Sequence, residues 1–472
     1  MRKQSWFKSG LVYGAASLAL VLAACETTES KESVSDEGDT AVVDTVIVTG
    51  TTTPHEVGSA PDAAPALPSA IAAERSADFS KSAPSPSIAP PGDSRPQPEP
   101  QSGLLTAGDY DDVLNPDLYK AYLDKTLQDQ GIAGRKDLPF VDAADRIAVQ
   151  VTDRLGKPMP FADIELTSAQ GEPMFPLRTG ANGTVYLYPA FDGLEAGTQI
   201  KVSVDGGEAQ TRSLSENLLE EGGAMPFIVS ADAAPIQKLD VLLTLDATGS
   251  MTDEMRYLQT ELTSIMTRME RSNPQLDIRA GLIVYRDKGD DYVIRDFDFT
   301  ADLDAFKNTL AQQEADGGGD FPEAMHTAME RGLGLSWRED AIKVNLLVAD
   351  APPHDAEITA TWETALHARV RGIHTVPLAA SGVDPTAEFL MRAMGQVTGG
   401  RYLFLTDDSG VGNPHAEPTV DCYVVTPLNS LVQRVLESLV LGRRVEPAGE
   451  VVIRTVGNYQ AGVCKLDEPE VQ

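Results

Sequence analysis

The sequence predicts an α/β protein: a doubly wound, mostly parallel sheet, preceded by a small all-β sandwich and a disordered tether. Three observations predict it. From about Arg146 to Ser230, apolar residues alternate with period two between turn signals. From Lys238 onward, near-continuous apolar runs alternate with helix-spaced patterns, as strands buried on both faces and joined by helical crossovers should. Between Pro54 and Pro100, eleven prolines fall among Ala, Ser, Asp and Glu, with Phe79 the one aromatic residue of 26–102. Such a stretch cannot bury enough surface to offset its ordering entropy.

Length and charge bound the rest. A chain of 472 residues is long enough for two or three domains. Its 38 basic and 71 acidic residues give a net charge of −33, and no basic patch interrupts it, so nucleic acid is not an expected partner. Three cysteines exclude a disulfide-dense scaffold and a four-cysteine zinc site.

Residues 1–24 read as a secretory signal peptide. Arg2, Lys3 and Lys8 precede an apolar run from about Gly10 to Ala24 that is too short to span a bilayer comfortably. Its end, Leu22-Ala23-Ala24-Cys25, resembles the lipobox of bacterial lipoproteins. The resemblance implies cleavage before Cys25, lipidation there and firm membrane attachment. Glu26 is not the aspartate that retains enterobacterial lipoproteins at the inner membrane, which favours the outer membrane. The tether, 25–102, contains one β-branched island, Asp44-Thr45-Val46-Ile47-Val48-Thr49-Gly50. It resembles the TonB box of TonB-dependent receptors, an extended strand that adds to a sheet edge.

Segment 103–145 is expected to be a helical lead-in. Asn115 is placed to cap, Pro116 suits the first helical position, and Leu118, Tyr122, Leu123 and Leu127 share a face. Segment 146–232 is expected to be an antiparallel sandwich. Val151-Thr152-Asp153, Gly156-Lys157-Pro158 and Asn182-Gly183-Thr184-Val185 resemble carboxypeptidase-regulatory-like or bacterial Ig-like modules. Segment 238–442 carries the doubly wound sheet. Its strands are expected at 239–245, 278–285, 344–349, 373–379 and 402–405, with helical spacing at Met255, Leu258, Leu262, Ile265, Met266 and Met269 and a last helix over 428–441. Segment 443–472 is a tail. With Cys25 lipidated, Cys422 and Cys464 are left in an oxidising compartment and are expected to form one disulfide.

The chemistry gathers at strand ends. Asp246-Ala247-Thr248-Gly249-Ser250 ends the first parallel strand, Gly317-Gly318-Gly319-Asp320-Phe321-Pro322-Glu323 opens a helix, and Asp350 ends another strand. Their oxygens suit Mg2+, Mn2+ or Ca2+. These three motifs resemble the metal-ion-dependent adhesion site of von Willebrand factor type A domains. The resemblance implies that Thr248 and Ser250 bind a divalent cation, Mg2+ first, directly. Asp246 and Asp350 then act through waters or as outer acceptors, and an open position faces an acidic group on a protein partner. Thr248 stands where serine is usual, and Asp320 near where the family places a threonine, so surplus carboxylates weaken the pull on a partner carboxylate. Asp320 and Glu323 remain alternatives for reaching the ion.

Asp246-Ala247-Thr248-Gly249-Ser250-Met251-Thr252 also resembles the phosphorylated-aspartate loop of P-type ATPases, which implies phosphoryl transfer through Asp246. That family's spanning helices and later Gly-Asp-Gly loop do not appear. His354 stands beside Asp350 where it can line the rim, and the charged loop 286–291 reads as a solvated turn or as part of the binding face. The expectation is a lipid-anchored envelope protein, not an enzyme, that binds an envelope or extracellular protein for adhesion, scaffolding or assembly. An accessory of a TonB-linked uptake system, recruited through 44–50, is the alternative.

Overall fold

A computed structural model describes residues 98–128, 135, 137–319, 321–380, 382–411, 415–416 and 418–465. The signal segment, Cys25, the island 44–50, most of the tether and Asp320 lie outside the described residues. Residues 98–102, read as the end of the tether, are instead fixed on the folded part. Pro98 O accepts from the Tyr257 hydroxyl at 2.6 Å and the Ser102 hydroxyl pairs with Ser264 at 2.7 Å. The backbone N–H groups of Gly103, Leu104 and Leu105 then converge on the buried Glu261 carboxylate.

The segment expected to be only a helical lead-in begins with a strand. β1 (Thr106–Tyr110) precedes α1 (Pro116–Thr126), and all five β1 residues are buried. The helix starts where Pro116 permits, but Asn115 does not cap it. Its amide donates to Asp111 O and Gly462 O, and its Oδ1 accepts from Cys464 N at 2.9 Å. The side chain is committed to the C-terminal segment, 349 residues further on. Tyr119, Tyr122 and Leu123 make the buried face, with Leu118 and Leu127 at its margin.

The sandwich follows: β2 (Ile147–Thr152), β3 (Asp163–Thr167), β4 (Pro173–Arg178), β5 (Thr184–Leu187), α2 (Pro189–Asp192), β6 (Gln199–Ser203), β7 (Gln210–Ser213), α3 (Glu216–Glu221) and β8 (Gly223–Ile228). One sheet runs β5-β2-β8 and the other β4-β3-β6-β7. Alternating residues such as Ile147, Val149 and Val151 face Ile164, Leu166, Ile200 and Val202 in one core. The expected all-antiparallel pattern fails at one pair, because β2 and β8 run parallel over six residues. The two strands lie far apart in sequence, and no short hairpin dictates their direction.

The remaining chain forms β9 (Lys238–Asp246), α4 (Met255–Ser272), β10 (Asp277–Tyr285), β11 (Ile294–Thr300), α5 (Leu303–Ala311), α6 (Met325–Leu333), β12 (Ile342–Ala349), α7 (Ile358–Val370), β13 (Ile373–Ala379), α8 (Pro385–Thr398), β14 (Tyr402–Thr406), β15 (Tyr423–Pro427), α9 (Leu428–Leu441), β16 (Arg454–Val456), β17 (Tyr459–Gln460) and β18 (Val463–Cys464). The large sheet has the order β11-β10-β9-β12-β13-β14-β1-β15-β16. β10, β9, β12, β13 and β14 pair in parallel. Helices cover both faces: α4, α5 and α9 on one core, and α1, α6, α7 and α8 on the other. β1 lies between β14 and β15 and is antiparallel to both, so the lead-in belongs to the α/β sheet and the sandwich is an insertion in it. The tail is not separate either. β16 extends the sheet from β15, and Cys464 is disulfide-bonded to Cys422.

Insertion and sheet are locked together by a buried seam. The Arg369 guanidinium forks onto both Asp192 oxygens at 2.7 and 2.9 Å, both side chains being almost inaccessible. The Tyr188 hydroxyl donates to Gln396 O at 2.8 Å. Gly442, at φ +64, ends α9 with its α-carbon so near the Ala181 backbone that an added Cβ would sit 2.6 Å from it. Arg369→Ala should therefore cost about 3–5 kcal/mol by leaving Asp192 buried and unpaired. Arg178→Ala, which breaks pairs with the exposed Asp163 and Glu339 carboxylates, should cost under about 1 kcal/mol. Urea unfolding of both variants distinguishes these two costs, and equal losses would contradict the seam.

Candidate metal centre

Strand register brings the predicted residues to one level. Asp246, the last residue of β9, lies directly beside Tyr285, the last of β10, and Leu245 lies beside Val348 of β12, two residues before Asp350. Ends of parallel strands are where backbone leaves the sheet and side chains can converge on a ligand. After β9 the chain turns at once into a short 3-10 turn, Gly249–Met251, which points Thr248 and Ser250 back toward Asp246. Asp246 Oδ1 accepts from the Thr248 N–H at 2.9 Å and from its hydroxyl at 2.7 Å. The Thr248 and Ser250 hydroxyl oxygens are 3.2 Å apart. Asp246, Thr248 and Asp350 are buried, whereas Ser250 is open to solvent.

The glycine loop closes over this turn. Gly249 N donates to Gly317 O at 3.0 Å and Asp316 N to Ala247 O at 3.0 Å. Gly318 (φ +64) passes so close that an added Cβ would stand 3.0 Å from Glu323 Oε1 and 3.1 Å from Thr248 Cβ. No side chain fits there, which is why the loop is glycine. Glu323 is held by its N–H on Pro352 O, at 3.0 Å, so the loop also grips the chain just after Asp350.

The charge balance is unfavourable to ionised carboxyls. Burial pushes the Asp246 carboxyl up against the pull of the two Thr248 hydrogen bonds. Burial, then the Asp246 charge, pushes Asp350 up against a hydrogen bond from Ser250. Burial together with Asp246, Asp287, Asp350 and Asp290 pushes Glu323 to about 9. Glu323 Oε2 and Asp350 Oδ1 are buried oxygens with no hydrogen-bond partner in the protein. Among the described residues, no three His, Cys, Asp or Glu side chains come close enough to hold an ion by themselves. A cation here would have to use the Thr248 and Ser250 hydroxyls as well. The donor set fits a hard divalent ion, which Thr248, Ser250, Asp246, Asp350 and Glu323 would hold between them.

Two further acids join the site from the charged loop 286–291. Asp287 is buried, and Asp290 Oδ2 accepts from Gly318 N at 2.9 Å and from Asp287 N at 3.0 Å. His354 pairs with Asp287 Oδ1 at 2.6 Å, so it ties this loop to the chain after β12. A run of charged residues after a strand reads equally well as a solvated turn; only the fold shows that half of it turns inward.

Three carboxyls that hold protons more tightly folded than unfolded give a definite pH dependence. In the metal-free protein these three groups contribute their full stability below about pH 4, where the unfolded carboxyls are also protonated, and that contribution is lost as pH rises toward the Glu323 value of about 9. Asp350→Asn removes one of these groups and the repulsion it exerts on the others. Its urea midpoint should fall less than that of the wild type between pH 5 and pH 8; parallel profiles would contradict the charge assignment.

Residues 240–377 match the family described as von Willebrand factor A domain. Over 120 residues, a quarter of the chain, the sequence is 28% identical to the alpha-protein kinase vwkA of Dictyostelium discoideum, of whose length that match covers 19%. Among solved structures, the conserved hypothetical protein BatB from Bacteroides thetaiotaomicron aligns at 12% identity and a TM-score of 0.30, over 43% of this chain and 98% of that one. The SpRpn10 VWA domain aligns at 13% identity and a TM-score of 0.28, over 39% of this chain and 90% of that one. The α/β unit of this chain has a von Willebrand factor A-like fold with a mostly parallel central sheet.

Proposed function

We propose that the protein is anchored by lipid at Cys25 to the bacterial cell envelope, with the outer membrane favoured. Its von Willebrand factor A domain binds a protein partner through a divalent cation, Mg2+ before Mn2+ or Ca2+. Adhesion, scaffolding and envelope assembly are the roles such binding serves, and none needs catalysis. The observation that carries this reading is the meeting of Asp246, Thr248, Ser250 and Asp350 at the ends of two neighbouring strands, with exposed Ser250 beside buried carboxyl oxygens that lack donors. A bound cation would offset their repulsion and leave a coordination position toward solvent for an acidic side chain of the partner.

Phosphoryl transfer through Asp246 is less well supported. A nucleophilic carboxylate has to reach its substrate, whereas Asp246 is fully buried and its Oδ1 is held by Thr248. The burial favours a role in holding ligands.

Calorimetric titration of the protein with Mg2+, Mn2+ and Ca2+ tests the metal step. The wild type should bind one equivalent saturably, and an Asp246→Ala, Ser250→Ala double variant should lose that binding. No saturable binding by the wild type, or equal binding by the variant, would overturn the reading.

A further inference from the structure

The opposite end of the sheet carries a second concentration of charge, of the other sign. A cleft of about 230 Å³ lies between the inserted sandwich and the amino ends of β12 and β13. β12 is eight residues long, so this cleft is roughly 23 Å of strand away from the metal centre. In a chain of net charge −33, seven Arg and Lys side chains line it against two acidic ones, Asp111 and Glu339. Several of the cations are spoken for. Arg369 belongs to Asp192, and Arg401 and Arg444 to Asp109 and Asp111.

Three of the remaining four lack a firm counter-charge. Lys343, only 2% exposed, has one carboxylate partner among the described residues, Glu339 at 3.0 Å, and otherwise donates to Arg371 O. Arg178 shares that Glu339 oxygen at 3.5 Å. Arg371 donates to the Leu333 carbonyl and has no carboxylate in ion-pair reach among the described residues. Lys343 and Arg178 thus share Glu339, whose side chain is 74% exposed, and Arg371 acts on that carboxylate from beyond ion-pair distance. Arg178 also reaches Asp163, whose side chain is 62% exposed. A buried ammonium needs a firm counter-charge, and an exposed glutamate that can swing into water at little cost is a weak one.

We propose that this cleft binds a phosphate group, held by Arg178, Lys343 and Arg371 where the Glu339 carboxylate now stands. The cluster favours phosphate over a carboxylate because three converging cations call for more than one negative charge, and guanidinium forks match phosphate oxygens. The cleft has room for a phosphate with a few attached atoms. The group is free phosphate, a soluble phosphomonoester or the headgroup of a phosphatidic-acid-like lipid. Glu339 is an internal competitor: it fills the site when the ligand is absent.

The competitor role gives a test with two opposite signs. Inorganic phosphate is titrated calorimetrically into the full chain without divalent metal and at low ionic strength, with glycerol phosphate and vesicles containing phosphatidic acid as parallel arms. The wild type should bind phosphate saturably, Arg371→Ala should bind about tenfold more weakly, and Glu339→Gln should bind severalfold more tightly. Tighter binding of glycerol phosphate identifies a soluble ester, and vesicle cosedimentation with the same variant order identifies a lipid headgroup. Should Arg371→Ala melt early by circular dichroism, Glu339→Gln still decides, because a purely structural salt bridge predicts no gain in affinity on its removal. No saturable binding in any arm, or a Glu339→Gln variant that binds no better than the wild type, would overturn the proposal.

Discussion

At the carboxyl end of the sheet, three acids are buried where burial disfavours their ionised forms. Asp246, Asp350 and Glu323 are all buried, and burial first pushes each toward its protonated form, with the Asp287 charge adding to it at Asp246 and the Asp246 charge at Asp350 and Glu323. The surrounding architecture is arranged around that constraint. The short turn after β9 aims two N–H and O–H donors at Asp246, the glycine loop brings backbone where no side chain fits, and Asp290 caps Gly318 from the neighbouring loop. These donors moderate the repulsion without removing it, and a divalent cation is the species that would.

The site depends in turn on a sheet that is completed from outside the domain's own continuous sequence. β1 comes more than 120 residues before β9, yet it fills the position between β14 and β15. Its acidic residues and those just after it anchor the C-terminal part. Asp109 and Asp111 hold Arg444, and Asp112 holds the fully buried Arg392 at 2.6 Å, with that guanidinium stacked over Tyr122. Asn115 then takes Cys464 N and Gly462 O, next to the Cys422–Cys464 disulfide. Sandwich and sheet are consequently joined at both ends of the insertion and along the Arg369–Asp192 seam. Residues 98–105 are fixed on α4 through Tyr257 and Glu261, and α4 begins five residues after Ser250.

The parallel strands were legible in the sequence because burial on both faces leaves long apolar runs. Lys238–Asp246 extends its expected strand by one residue at each end, Ile342–Ala349 by two at its start, and the helix Leu428–Leu441 has the expected bounds. The fold class and the strand-end residues Asp246, Thr248, Ser250 and Asp350 follow from that pattern. β1 was not legible: Thr106-Ala107-Gly108-Asp109-Tyr110 has small and charged residues whose burial is made possible by distant arginines. The parallel β2–β8 pair and the role of Asn115 are equally non-local. The inward acids Asp287 and Asp290 were hidden for a different reason. A charged loop has the same composition whether it faces water or a cation, and only the position of Gly318 tells which.

The most direct measurement of the central claim is diffraction from crystals grown with Mn2+, recorded at a wavelength where manganese scatters anomalously. The account predicts one strong anomalous peak among Asp246, Thr248, Ser250 and Asp350, and loss of that peak in Asp246→Ala, Ser250→Ala crystals. A peak bound elsewhere, or none at saturating Mn2+, would contradict it.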